Sequence, residues 1–238
     1  MNKAKALSAQ LHALASPDTA NILQRFFKTG PGQYGEGDLF LGIKIPPLRA
    51  LAKQYRDADL ASIAALLGSK YHEERMFALL LLMQFYATAD EAGKQTAYDL
   101  YLGSTRHINN WDLVDVSAPH IVGRHLEARP RKVLQRLAKS GSLWERRIAM
   151  VSTLHFIRRN DFSDTLRIAE MLLDDGHDLM HKAVGWMLRE VGKRDQRTLE
   201  TFLQQHYPRL PRTALRYAIE RFNPPLRQQY LQRTFPIA

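Results

Sequence analysis

The sequence predicts an all-α fold, a right-handed α-solenoid of paired-helix repeats with a concave basic groove. Three observations carry this expectation. Helical periodicity runs through the chain, while strand-type alternation is nearly missing. A basic or aromatic residue opens an apolar helix at regular intervals: Arg75, Trp111, Arg147, Lys182 and Arg212 stand 36, 36, 35 and 30 residues apart. Lys and Arg number 34 against 24 Asp and Glu, a net charge of +10 in 238 residues. A repeat of that length holds two helices that cannot bury an apolar face alone, so successive repeats stack.

The elements follow in order. Residues 4–15 and 18–28 read as two amphipathic helices, with Ser16-Pro17-Asp18 as stop and restart. Residues 29–37 form the one glycine-rich stretch. No Gly-Lys-Ser/Thr follows it, so it reads as a loop rather than a phosphate cradle. Phe40 to Arg49 re-enters helix at Pro46-Pro47, since proline suits a first helical turn. From residue 50 the pattern becomes a series of helix pairs with a period near 35. The glycines and tyrosines of tetratricopeptide repeats are out of place, so the repeats read as HEAT-like, in a single domain spanning 1–238. Each recurring cation read alone is a solvated helix end. Stacked, equivalent positions would line one wall and make a cationic groove.

Composition excludes several chemistries. The absence of Cys removes disulfides, thiolate metal sites and a cysteine nucleophile. His72-Glu73-Glu74 and His177-Asp178 lack metal-ligand spacing on one helix face. There is no serine elbow and no dinucleotide-binding turn, so neither a metal nor a cofactor is expected. No apolar signal core follows Met1, and the longest apolar run, Phe77 to Met83, is too short for a bilayer. The expectation is a cytoplasmic protein without a membrane partner. Its charge favours nucleic acid or another polyanion.

One segment runs against that charge. In Asn109-Asn110-Trp111-Asp112-Leu113-Val114-Asp115, Trp111 and Asp115 are four residues apart and share a helix face. An aromatic plane beside a carboxylate can stabilise a cation. Asp112 lies off that face and is expected to serve the helix N-terminus or a neighbouring Arg. Taken singly, Asp115 also fits a salt-bridged repeat residue, Trp111 and Trp186 fit core packing, and Arg147 fits a structural ion pair.

Taken together, three segments resemble a known family. They are Asn110-Trp111-Asp112-Leu113-Val114-Asp115, Trp144-Glu145-Arg146-Arg147-Ile148-Ala149 and Gly185-Trp186-Met187-Leu188-Arg189-Glu190, with Phe40-Leu41-Gly42-Ile43, Pro46-Pro47 and Arg49 ahead of them. The chain is similar in these to the AlkD-like DNA glycosylases, the DNA alkylation repair family, over roughly residues 5–222. The resemblance implies a HEAT-like solenoid with a concave basic DNA-binding groove that cradles duplex DNA. It implies excision of cationic N3- and N7-alkylated purines, the first step of base excision repair. Asp115 then matches the catalytic acid, Trp111 and Trp186 the aromatics beside the lesion's deoxyribose, and Arg147 the arginine at the DNA backbone. Lys44, Lys182, Arg189 and Arg212 are the further expected DNA contacts. The family's N-terminal aromatic position has only Phe26-Phe27 as its counterpart. No Lys is placed beside Asp115 as a Schiff-base nucleophile, so a monofunctional enzyme without a lyase step is expected. A monomer needing no protein partner is expected as well. A non-catalytic module binding damaged or branched DNA, and a protein-interaction scaffold, are the alternatives.

Overall fold

The computed structural model describes residues 3–234. Among them the regular structure is helical, and the one extended pairing is an isolated parallel bridge between Leu39 and Tyr71. Packing divides the chain, which the repeat period treats as one array, into two compact units that meet in sequence between His125 and Leu126.

The first unit contains α1 (Lys3–His12), α2 (Pro17–Phe26), α3 (Ile45–Gln54), α4 (Leu60–Leu67), α5 (His72–Thr88), α6 (Glu91–Gly103) and α7 (Trp111–Ser117). A π-helical turn, Pro119–Gly123, extends α7. The Ser16-Pro17 signal works as expected: Ser16 Oγ accepts from Thr19 N–H at 3.4 Å and Pro17 occupies the first turn of α2. Asp59 and Asp90 cap α4 and α6 in the same way. The glycine-rich stretch is a series of turns between α2 and α3.

Helix α5 is the axis of this unit. Its residues Met76 to Leu82 are all buried, so it has no solvent face over that run. Its head, His72 to Arg75, is polar and also buried. Four such groups cannot stay in the interior unpaired. Glu74 accepts from Ser8 Oγ at 2.5 Å and lies 3.3 Å from His12 Nε2, and the partners of the other three form the site described below.

The second unit contains α8 (Lys132–Ala138), α9 (Leu143–Ser152), α10 (Leu154–Ile157), α11 (Ser163–Met171), α12 (Asp178–Gly192), α13 (Gln196–His206), α14 (Arg212–Ala218) and α15 (Pro224–Gln232). Here α12 is central, packing on α9, α11, α13 and α14. Polar contacts tie elements about one repeat apart. Arg131 pairs with Asp164, Arg146 with Asp175 and Arg209 with Asp174, at separations of 33, 29 and 35 residues. The repeat period of the sequence is therefore also the period of its tertiary polar contacts. No described helix is long and apolar enough to cross a membrane.

Candidate active site

The first unit brings Trp111 and Asp115 together on α7. Asn110 has no solvent exposure, and its Oδ1 accepts from Trp111 N–H at 2.9 Å, fixing where the helix begins. Trp111 and Asp115 are both half-buried. The indole stacks on Phe27 at 5.3 Å between ring centroids and meets the edge of Phe26 at 6.0 Å. Phe27 stacks in turn on Phe40 at 5.2 Å. Trp111 thus joins an aromatic cluster with Phe26, Phe27 and Phe40, which come from α2 and the loop that follows it. Phe26 keeps most of its surface in solvent. Burial raises the hydroxyl pKa of Tyr101 well above its ordinary value. The charge of Asp115 adds to that effect, while a 2.9 Å hydrogen bond with Ser117 opposes it.

Asp112 serves the helix N-terminus as expected: it lies in the first turn of α7, where its Oδ1 accepts from Leu113 N–H at 2.9 Å. Its Oδ2 accepts from His72 Nε2 at 2.8 Å, and no Arg takes that place. His72 Nδ1 donates to Asp38 Oδ2 at 2.9 Å, and Arg75 Nη2 donates to Asp38 Oδ1. Arg75 Nη1 also donates to the carbonyl of Ser69 at 3.0 Å. Burial alone would lower the imidazole pKa. The charge of Asp112, and hydrogen bonds to both carboxylates, outweigh it and raise the value to about 9. Burial likewise pushes Asp38 up, but His72 and Arg75 bring it below its ordinary range. The result is a buried pair of cations between two carboxylates, with Phe40 stacked on the imidazole at 4.4 Å. Arg75 is consequently an internal anchor and not part of an exposed cationic wall.

Glu73 completes the arrangement. Its carboxylate accepts from the N–H groups of Leu41, Gly42 and Ile43 at 2.8, 2.8 and 3.1 Å. Gly42 has φ +84, and a Cβ there would fall 2.1 Å from the carbonyl oxygen of Ser16. The loop that carries Phe40 is thereby fixed against α2 and α5. Lys44, which precedes α3, is exposed at the rim of an apolar cleft of about 190 Å³ that also touches Phe26, Phe27, His72 and Asp112.

The second unit carries the other expected residues on α12 and on α9 and α14, each of which packs against α12. Lys182, Trp186 and Arg189 follow one another on α12 at spacings that keep them on one side of it. Trp186 is half-buried. Lys182 pairs with Asp178 at 2.8 Å and Arg189 with Glu220. Arg147, on α9, is 5% exposed and its Nη1 donates to the carbonyl of Leu179 at 2.7 Å. Arg212, on α14, is exposed and donates to the carbonyl of Leu231 at 3.2 Å.

A family model described as DNA alkylation repair enzyme matches residues 7–222. The chain belongs to the DNA alkylation repair enzyme family. A solved structure supports the fold of this alkylation repair protein. It is described as a predicted DNA alkylation repair enzyme from Enterococcus faecalis, and it superposes with a TM-score of 0.68 at 17% identity. The match covers 88% of this chain and 97% of that one. No curated protein matches the sequence. The spacing of Trp111 and Asp115 was readable without the structure because it lies within one helix. The Asp38, His72, Asp112 and Arg75 group was not. Its one sequence signal is the polar tetrad at the head of an apolar helix.

Proposed function

We propose that this DNA alkylation repair enzyme is a monofunctional glycosylase that hydrolyses the N-glycosidic bond of cationic N3- and N7-alkylpurines in duplex DNA. The observation that carries the reading is the pairing of Trp111 and Asp115 on α7, in a chain of net charge +10. A binder of phosphate gains nothing from a carboxylate on that face. An enzyme that generates a cationic sugar does.

The chemistry needs little else. An alkylated purine already carries positive charge, so the base leaves without protonation. The electron deficit is left on the deoxyribose, and a fixed carboxylate stabilises that oxocarbenium-like centre and orients the attacking water. An indole face adds attraction as charge moves onto the sugar. Asp112 plays no part in the bond cleavage, because His72 engages it. In the second unit, Arg147 and Trp186 are the proposed contacts to the DNA backbone and sugar, with Lys182, Arg189 and Arg212 as further phosphate contacts. The protein acts as a monomer and draws on no cofactor. The test is release of free alkylpurine from methylated duplex DNA. Release above buffer supports the reading, and none at stoichiometric excess of protein overturns it.

A further inference from the structure

The first unit holds a second cleft, distinct from the Trp111–Asp115 pair. It is about 390 Å³ and is lined by Arg49 and Lys53 of α3, by Gln84 of α5, and by His120 and Arg124 at the π-helical turn. A neighbouring hollow of about 240 Å³ shares Lys53 and Gln84 and adds Arg56. No carboxylate lines either one. Among the described residues, Arg49, Lys53, Arg56 and Arg124 make no ion pair with an acid. Some cations of the second unit, by contrast, lie beside acids. The cleft in the second unit formed by Arg167 and Arg197 includes Glu170, and Arg131, Arg146 and Arg209 each pair with Asp.

Four cations gathered without a counter-charge repel one another, and an anion in the cleft relieves that cost. Gln84, which lines the cleft and is partly exposed, adds an amide whose N–H₂ can donate to an oxyanion. The floor, formed by Leu80, Met83 and Ala87, is apolar and offers nothing to a base edge. We propose that this cleft binds the phosphodiester backbone of the DNA, independently of sequence and of damage. This rests on the DNA-repair reading above and adds a binding site to it.

The test is the salt dependence of binding to unmodified duplex DNA. Each phosphate contact contributes a slope of about 0.9 in log K against log salt. The double variant Arg49→Gln/Arg124→Gln removes two exposed charges, and should flatten the slope by about two units and weaken binding about tenfold or more. The control Arg167→Gln/Arg197→Gln removes the same charge from the balanced cleft, and should change the slope by less than about half a unit. Equal slopes in the two variants overturn the proposal. Calorimetric titration with inorganic pyrophosphate forms a further arm. Saturable pyrophosphate binding that the first variant loses, with duplex affinity unchanged, would assign the cleft to free anions and also overturn it. Base release from methylated duplex is measured on the same preparations. Excision by the wild type with an unaffected slope in the variant rejects the cleft alone. A flattened slope without any excision by the wild type rejects the glycosylase alone.

Discussion

Replacing His72 with Gln should remove a pH-dependent part of the protein's stability. The imidazole pKa is raised to about 9 in the folded protein, from an ordinary value of 6.5 in the unfolded chain. A folded pKa above the unfolded one means that the stabilisation is complete below about pH 6.5 and is lost as pH rises through about 9. The difference of about 2.5 units, at about 1.4 kcal/mol each, corresponds to about 3–4 kcal/mol. Its source is visible: the charged ring donates to Asp38 at 2.9 Å and to Asp112 at 2.8 Å in a site that is 2% exposed. Urea unfolding of wild type and His72→Gln between pH 6 and pH 10 measures it. The wild type should lose about 3–4 kcal/mol more than the variant across that window. Titrating groups that do not touch His72 cancel in the comparison because both proteins carry them, and Asp38 and Asp112 titrate below this window as carboxylates. Parallel stability curves for the two proteins would refute the charged, doubly hydrogen-bonded imidazole.

Three further outcomes follow from the same contacts. Asp112→Asn should cost about 1–3 kcal/mol, because it takes a charge from a buried hydrogen-bonded pair, and should leave excision within a few-fold; a dead but stable variant would exchange the roles of Asp112 and Asp115. Gly185→Ala places a Cβ 2.5 Å from both the carbonyl oxygen of Ala214 and Cβ of Tyr217, so α12 and α14 must separate; thermal unfolding should show a loss of about 1–3 kcal/mol despite alanine's better helix propensity. Arg147→Ala should weaken both DNA binding and excision and cost about 1 kcal/mol of stability, since the carbonyl of Leu179 loses a donor; intact binding alongside the stability loss would make Arg147 purely structural.

The sequence made local features legible. The break at Ser16-Pro17, the proline entry to α3 and the shared face of Trp111 and Asp115 all depend on residues within one or two turns of each other. The period of about 35 was legible as well, because stacked repeats bury equivalent positions. The register between repeats was not. His72 finds Asp38 and Asp112 at separations of 34 and 40 residues, and nothing in a single chain says which acid meets which base. For the same reason Arg75 reads as a groove residue from its place in the repeat, yet its guanidinium is turned inward to Asp38. Asp112, expected at the helix N-terminus or at an Arg, serves the first turn of α7 and meets a histidine besides.

The central claim concerns Asp115, and a paired measurement on Asp115→Asn tests it most directly. Excision of alkylpurine and affinity for the same duplex are measured on one preparation. The substitution keeps the side chain's size and removes the charge that the proposed mechanism sets against the developing oxocarbenium centre. Excision should fall by about 10- to 1000-fold, the scale of losing one preorganised electrostatic group. Affinity should hold or rise slightly, because a carboxylate no longer opposes the phosphates. Undiminished excision together with weakened binding would contradict the account.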